Sequence, residues 1–157
     1  MDQLTLLTND GASFDVPLHI CKHFETILGY LEEDNDVDTI PLPNVSSTQL
    51  KYIVDYFASR TDRFPFHTER DPTDDERAMM TTWSNLYFHH LQTPVLLDLL
   101  ATANYLNCDA VIECVCALIA SRIAGKSREE MREILDIEND FTPDEEERMI
   151  AETMWAF

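Results

Sequence analysis

From Thr93 to Lys126 the chain reads TPVLLDLLATANYLNCDAVIECVCALIASRIAGK, the only long segment built almost wholly of apolar and small residues. No glycine or proline interrupts it between Pro94 and Gly125. A polar break at Asn107-Cys108-Asp109 divides it into two helices. Thr93 caps the first, and Pro94 follows at the first helical position, where a missing N–H costs nothing; this helix runs to about Leu106. The second begins near Asp109 and stops at Gly125. Helices this apolar have to occupy the centre of a core, so the rest of the chain is packed before them or displayed after them.

The chain has 157 residues, which fits one domain with a tail or one and a half domains, and 45% of them are hydrophobic, enough for a real core. Its formal charge of -19 and pI near 4.3 speak against a nucleic-acid partner, because affinity for a phosphate backbone rests largely on Lys and Arg displacing condensed counterions. Anionic membrane surfaces are disfavoured for the same reason. No apolar run approaches the roughly 20 residues of a membrane span, and the start MDQLTLLTND lacks the basic and apolar regions of a signal peptide. The expected location is therefore the cytosol or nucleus. Cys21, Cys108, Cys114 and Cys116 lie in apolar helical contexts without framework spacing, as buried reduced thiols do.

Ahead of the central pair, QLTLLT at residues 3 to 8, the turn signal Asn9-Asp10-Gly11 and Ser13-Phe14-Asp15-Val16 predict a β-hairpin ended by Pro17. Ile20, Phe24, Ile27, Leu28 and Leu31 predict one or two short helices broken near Gly29. An acidic loop, EEDNDVD, follows. Thr39-Ile40-Pro41-Leu42-Pro43 is extended and, with its prolines, suited only to a sheet edge. Ser46 and Gln49 open a helix to about Ser59 with a core stripe of Leu50, Ile53, Val54 and Phe57. Residues 60 to 82 are polar and without sustained period, which predicts a long exposed loop. Trp83, Leu86, Tyr87, Phe88 and Leu91 then predict a short helix with a buried aromatic side. In the tail, Ser127 with Glu130 opens a helix bearing Met131, Ile134 and Leu135, and Thr142-Pro143 opens another through about Met154.

Little here resembles an active site. His19 and His23 have the four-residue spacing by which two imidazoles can share a metal, but no glutamate between them and no nearby third ligand supports a zinc enzyme. A metal-dependent hydrolase built on this pair is the weakest of three readings. Cys114 and Cys116 point roughly 200° apart on a helix, which disfavours a chelate, and His89-His90 is more simply a solvated pair. The chain has only Gly11, Gly29 and Gly125, so it has no glycine-rich phosphate loop, and no nucleophile elbow occurs. Neither catalytic residues nor a cofactor or metal are expected.

What remains is excess apolar helix surface. At about 100° per residue, Val111, Val115 and Leu118 form one stripe of the second central helix, and Ile112, Cys116, Ile119 and Ile123 form a second roughly 100° away. One stripe serves a core. The second needs another cover, either the tail or a partner. Residues 127 to 157 hold three Arg against eleven Asp and Glu, too short and acidic for a compact domain. Their apolar residues Met131, Leu135, Ile137, Met149, Ile150 and Met154 can cover part of the stripe and leave a groove. Trp155 falls outside the Met149 and Ile150 side, suited to anchoring an interface.

In order and spacing, several motifs together resemble the Skp-type adaptors of SCF (Skp, cullin, F-box) ubiquitin ligases. They are Ile40-Pro41-Leu42-Pro43-Asn44-Val45, Ala103-Asn104-Tyr105-Leu106, Gly125-Lys126, Ile137-Glu138-Asn139-Asp140-Phe141-Thr142 and the terminal Trp155. The resemblance covers nearly the whole chain. It implies an α+β fold: a BTB/POZ domain over residues 1–126, with a small three-stranded sheet and helices, and a C-terminal helical extension over residues 127–157 that contributes to an F-box-binding groove. It further implies cullin contacts at Asn104 and Tyr105, and F-box contacts at Ile112, Cys116, Ile119, Ile123, Met131, Leu135, Ile137 and Trp155. The implied function is a non-catalytic adaptor between a cullin scaffold and F-box substrate receptors. Where the family reads something like Trp-Asp-x-Glu-Phe before Lys-Val-Asp-Gln, this chain has Trp83-Ser84-Asn85-Leu86-Tyr87 and His89-His90-Leu91-Gln92. These departures bear on cullin affinity more than on F-box binding. They motivate a second reading, a structural partner of one F-box protein in a non-ligase complex such as a kinetochore-type assembly, with weak or no cullin binding.

Overall fold

The computed structural model describes residues 2–34, 36–65 and 70–153, and the chain divides into two compact units, Met1–Arg122 and Ile123–Phe157. The first begins with the expected hairpin, β1 (Gln3–Thr8) and β2 (Ser13–Pro17), antiparallel with Leu4 opposite Val16 and Leu6 opposite Phe14. Gly11 takes the left-handed conformation (φ +83°) that the turn needs. β3 (Thr39–Leu42) joins β1 in parallel, giving the order β2-β1-β3 with the proline-bearing strand at an edge, as its composition requires. Alternation then sorts the side chains: Leu4, Leu6, Val16, Ile40 and Leu42 are fully buried, while Gln3, Thr5 and Leu7 alternate onto the more exposed side.

Two short helices follow the hairpin, α1 (Leu18–Cys21) and α2 (Glu25–Glu33). The break falls at Lys22–Phe24 and not near Gly29, which sits inside α2 on its exposed side with open space around its Cα. An exposed glycine costs a helix only about 1 kcal/mol relative to alanine, too little to break one that buries Ile27.

Helix α3 (Ser47–Arg63) starts at the expected cap, the Ser46 hydroxyl accepting from the Gln49 N–H at 3.4 Å, but continues a full turn past Ser59. Its buried stripe is Leu50, Ile53, Tyr56 and Phe57; Val54 is only half-buried. The Asp10 carboxylate, which accepts from the Thr8 hydroxyl and from the Ser47 hydroxyl and N–H, ties the hairpin turn to this helix start. Those hydrogen bonds lower its pKa from 3.8 to about 2.

The expected loop over residues 60 to 82 is largely helix. Beyond the end of α3, helix α4 (Asp74–Tyr87) opens on a reciprocal capping box between Thr73 and Glu76. Arg70 also grips the Glu76 carboxylate, at 2.7 Å, and together these contacts lower its pKa to about 2. What makes the segment fold is an aromatic cluster around Tyr56. Trp83 stacks on it at 5.7 Å and Phe88 at 5.5 Å, Tyr87 meets it edge-on at 5.3 Å, and its hydroxyl donates to Ser84 at 3.0 Å.

The central pair is α5 (Thr93–Leu106) and α6 (Asp109–Ile123), joined through Asn107 in the left-handed region. The α5 cap is Gln92, one residue earlier than expected, so that Pro94 stands at the second helical position. Leu96, Leu99, Ala103 and Leu106 of α5, with Val111 and Val115 of α6, are fully buried, which makes this pair part of the core. Arg122 fastens the end of α6 within the first unit, donating to the carbonyls of His89 at 3.0 Å and Leu91 at 2.7 Å and to the Thr93 hydroxyl at 3.1 Å.

The second unit holds α7 (Arg128–Leu135), opened by the Ser127–Glu130 capping box, and α8 (Pro143–Thr153). Gly125 (φ +71°) takes the positive φ typical just after a helix, and Asp136 (φ +53°) ends α7.

Candidate protein-binding surfaces

Among the described residues, no group of three or more His, Cys, Asp or Glu side chains is placed to hold a metal. His23 stacks face to face on Phe57 at 4.3 Å and 9°, a packing role, while His19 is exposed. Burial raises the pKa of Cys21 and Cys108 to about 11 and that of Cys114 to about 12, which leaves these thiols protonated and unreactive at neutral pH. Cys116, expected to be buried, is exposed. Among the described residues no helix is long and apolar enough to cross a membrane.

One candidate surface is the C-terminal end of α5. Asn104 is exposed and Tyr105 half-buried, so both side chains reach outward. The backbone beneath them is anchored. The Thr26 hydroxyl donates to the Tyr105 carbonyl at 2.8 Å, and the Asn107 amide donates to the Glu25 carboxylate, so the first turn of α2 holds the last turn of α5. A helix end fixed in this way presents its outward side chains on rigid backbone, a condition for a precise interface.

A second candidate is the outer side of α6. Val111, Cys114, Val115, Leu118 and Ile119 are buried, while Glu113, Cys116, Ala117 and Ala120 are exposed. The stripe singled out by spacing therefore lies at the margin of the buried arc: Ile112 and Ile123 are half-buried, Cys116 is open and Ile119 is buried, with 9% exposure.

The third is the tail unit itself. Neither α7 nor α8 has a buried residue. Of the large hydrophobic side chains exposed among the described residues, four belong to this short segment: Ile137 at 56%, Phe141 at 42%, Met149 at 41% and Ile150 at 40%. Met131 and Leu135 are half-buried on α7, and Trp155 lies outside the described residues. Sequence spacing cast Met149 and Ile150 as cover for another helix and did not single out Phe141. An available signal was its position directly before the Thr142 cap, where a hydrophobic residue ordinarily packs on an apolar residue at the fourth helical position, which here is Glu146.

The tail is nevertheless ordered by polar contacts. The Thr142 hydroxyl accepts from the Glu145 N–H while the Glu145 carboxylate accepts from the Thr142 N–H, both at 3.3 Å, a reciprocal box like those at Thr73 and Ser127. Arg132 reaches from α7 to the Glu146 carboxylate of α8 at 3.3 Å. Apolar side chains left open on helices held by polar contacts make this unit a candidate interaction surface.

Comparison with known proteins places the chain among relatives. Residues 2–62 match the Skp1 family tetramerisation domain and residues 112–156 the Skp1 family dimerisation domain. The chain is similar to SKP1-like protein 14 of Arabidopsis thaliana, 32% identical over 156 residues that cover 99% of this chain and 97% of that protein. It is 35% identical to SKP1-like protein 11 of the same plant, over 98% of this chain and 96% of that protein. It is 33% identical to SCF ubiquitin ligase complex protein SKP1a of Dictyostelium discoideum, over 99% and 96% respectively.

Proposed function

The chain belongs to the Skp1 family, and on that premise we propose that it is a non-catalytic adaptor that joins a cullin scaffold to F-box substrate receptors within an SCF ubiquitin ligase. The observation that carries this reading is the open apolar tail. Ile137, Phe141, Met149 and Ile150 are all at least 40% exposed in a segment with no buried residue, a state that favours burial by a partner. The F-box-facing set is Ile112, Cys116, Ile119 and Ile123 on α6 with Met131, Leu135 and Ile137 in the tail, together with Trp155. To it we add Phe141, Met149 and Ile150. The cullin-facing pair is Asn104 and Tyr105. In this reading residues 1–126 hold the scaffold, and the extension over residues 127–157 contributes to the receptor groove; the compact units themselves divide between Arg122 and Ile123. Catalysis then lies with other components of the ligase, and the adaptor supplies fixed geometry in the cytosol or nucleus.

A structural role beside a single F-box protein, without cullin, is the second reading. It rests on the departures in residues 84–91, where Leu86 is 58% exposed. Capture of the full-length chain from cells, with identification of the bound polypeptides, distinguishes the two. Recovery of several F-box proteins together with a cullin supports the adaptor; one F-box protein and no cullin supports the structural role; neither class of protein refutes both.

A further inference from the structure

Three separate parts of the tail that bear apolar side chains converge on one carboxylate. Glu146 of α8 accepts from Arg132 of α7 at 3.3 Å and stands 4.0 Å from Arg128, one turn earlier on the same helix. It also accepts from the Asn139 amide at 3.5 Å, and the Asn139 carbonyl oxygen in turn accepts the Phe141 N–H at 3.3 Å. Through these contacts Glu146 is joined to α7, with Met131 and Leu135, and to the connecting segment, with Ile137 and Phe141. Met149 and Ile150 follow it by three and four residues on the same side of α8, so the hold on Glu146 also sets the rotation of that helix. The arginine and glutamate side chains are 18% and 25% exposed, sheltered enough for the pair to be more than a solvated surface contact.

We infer that Glu146 is a positioning residue for F-box capture, an ionic knot that holds the α7–α8 corner in its receptive arrangement before the partner arrives. The inference rests on the adaptor reading above. A corner already ordered loses less conformational freedom on binding, so breaking the knot weakens capture without removing a contact to the partner.

The test uses the full chain and an F-box polypeptide that the unaltered chain binds, with affinity measured by titration calorimetry. Glu146→Ala is expected to weaken binding by about tenfold and to speed amide exchange over residues 136–142 in the free chain. Glu146→Gln keeps the shape and an acceptor for Asn139 but removes the charge, and should fall between the two. The charge swap Arg132→Glu with Glu146→Arg should recover affinity relative to either single variant, which a residue needed only for helix formation would not show. Should Glu146→Ala unfold α8, the isosteric glutamine variant decides. Unchanged affinity in Glu146→Gln, or a swap no better than its single variants, overturns the inference. Ile150→Glu separates this from the underlying reading: loss of binding in that variant with no effect at Glu146 removes the knot alone, while no effect in either removes the tail surface as well.

Discussion

The most direct test of the tail surface is Ile150→Glu. In the free chain Ile150 is 40% exposed on a helix with no buried residue, and glutamate is at least as good a helix former as isoleucine, so the folding cost should stay within about 0.5 kcal/mol. In the complex two costs arise. Isoleucine is worth about 1.5–3 kcal/mol when fully buried, and covering the exposed two-fifths of it accounts for roughly 0.6–1.2 kcal/mol. Stripping water from a carboxylate with no partner adds about 2 kcal/mol or more, even after relaxation. The sum, about 3 kcal/mol, predicts a loss of affinity of at least roughly 100-fold. Titration of the full chain with an F-box polypeptide measures the loss, and far-UV circular dichroism of the free variant checks that α8 persists. A change below about threefold, repeated in Ile137→Glu, would refute the assignment. Ile119→Glu is a poorer probe although spacing favours it. At 9% exposure the residue is buried in the chain itself, so its substitution mixes folding with binding.

Tyr56→Ala should destabilise the front unit by about 3–5 kcal/mol and Tyr56→Phe by about 1 kcal/mol, read by denaturant unfolding; an alanine cost below about 1 kcal/mol would show that α4 does not depend on this ring. Asp10→Asn should lower stability near neutral pH. A carboxyl whose folded pKa is depressed to about 2 stabilises the fold above its unfolded value of 3.8 and loses that contribution as pH falls through about 2, so the gap between variant and wild-type melting temperatures should close toward that pH. Tyr105→Ala should weaken cullin capture about tenfold with F-box affinity intact, because the Thr26 contact to residue 105 is made through the backbone carbonyl and survives; equal loss of both would indicate unfolding.

The sheet was legible because its signals are local. Asn9-Asp10-Gly11 between alternating runs admits few structures but a hairpin, and prolines at 41 and 43 confine the third strand to an edge. Only the end of α4 was legible, from Trp83 to Tyr87, and its first half was not, for the opposite reason. Its first turn, Asp74-Asp75-Glu76, has the composition of a solvated loop, and ahead of Trp83 only Met80 is buried, so the first half carries a single inward residue before the aromatic packing on Tyr56 begins. Thr73 and Glu76, three apart, signal its start by the same capping pattern that placed α7 at Ser127 and Glu130. The break near Gly29 failed because glycine on an exposed helix side costs less than the burial of Ile27 returns.

For α6 the limit of sequence reasoning is sharper. A helical wheel assigns angles and says nothing about neighbours, so it separates Val111, Val115 and Leu118 from Ile112, Cys116, Ile119 and Ile123 without saying which side is covered. The structure shows a buried arc that begins at Cys114, runs through the first stripe and ends at Ile119, with Ile112 and Ile123 at its shoulder and Cys116 beyond it. Shoulder residues are suited to a shared role, since a partner can extend their burial without displacing anything already packed. Just past the shoulder and Cys116 stands Ala120, exposed and small enough to let a partner's backbone approach closely. The F-box-facing side that we propose for α6 is therefore better drawn from Ile112 and Ile123 outward through Cys116 than centred on Ile119, which the chain has already buried.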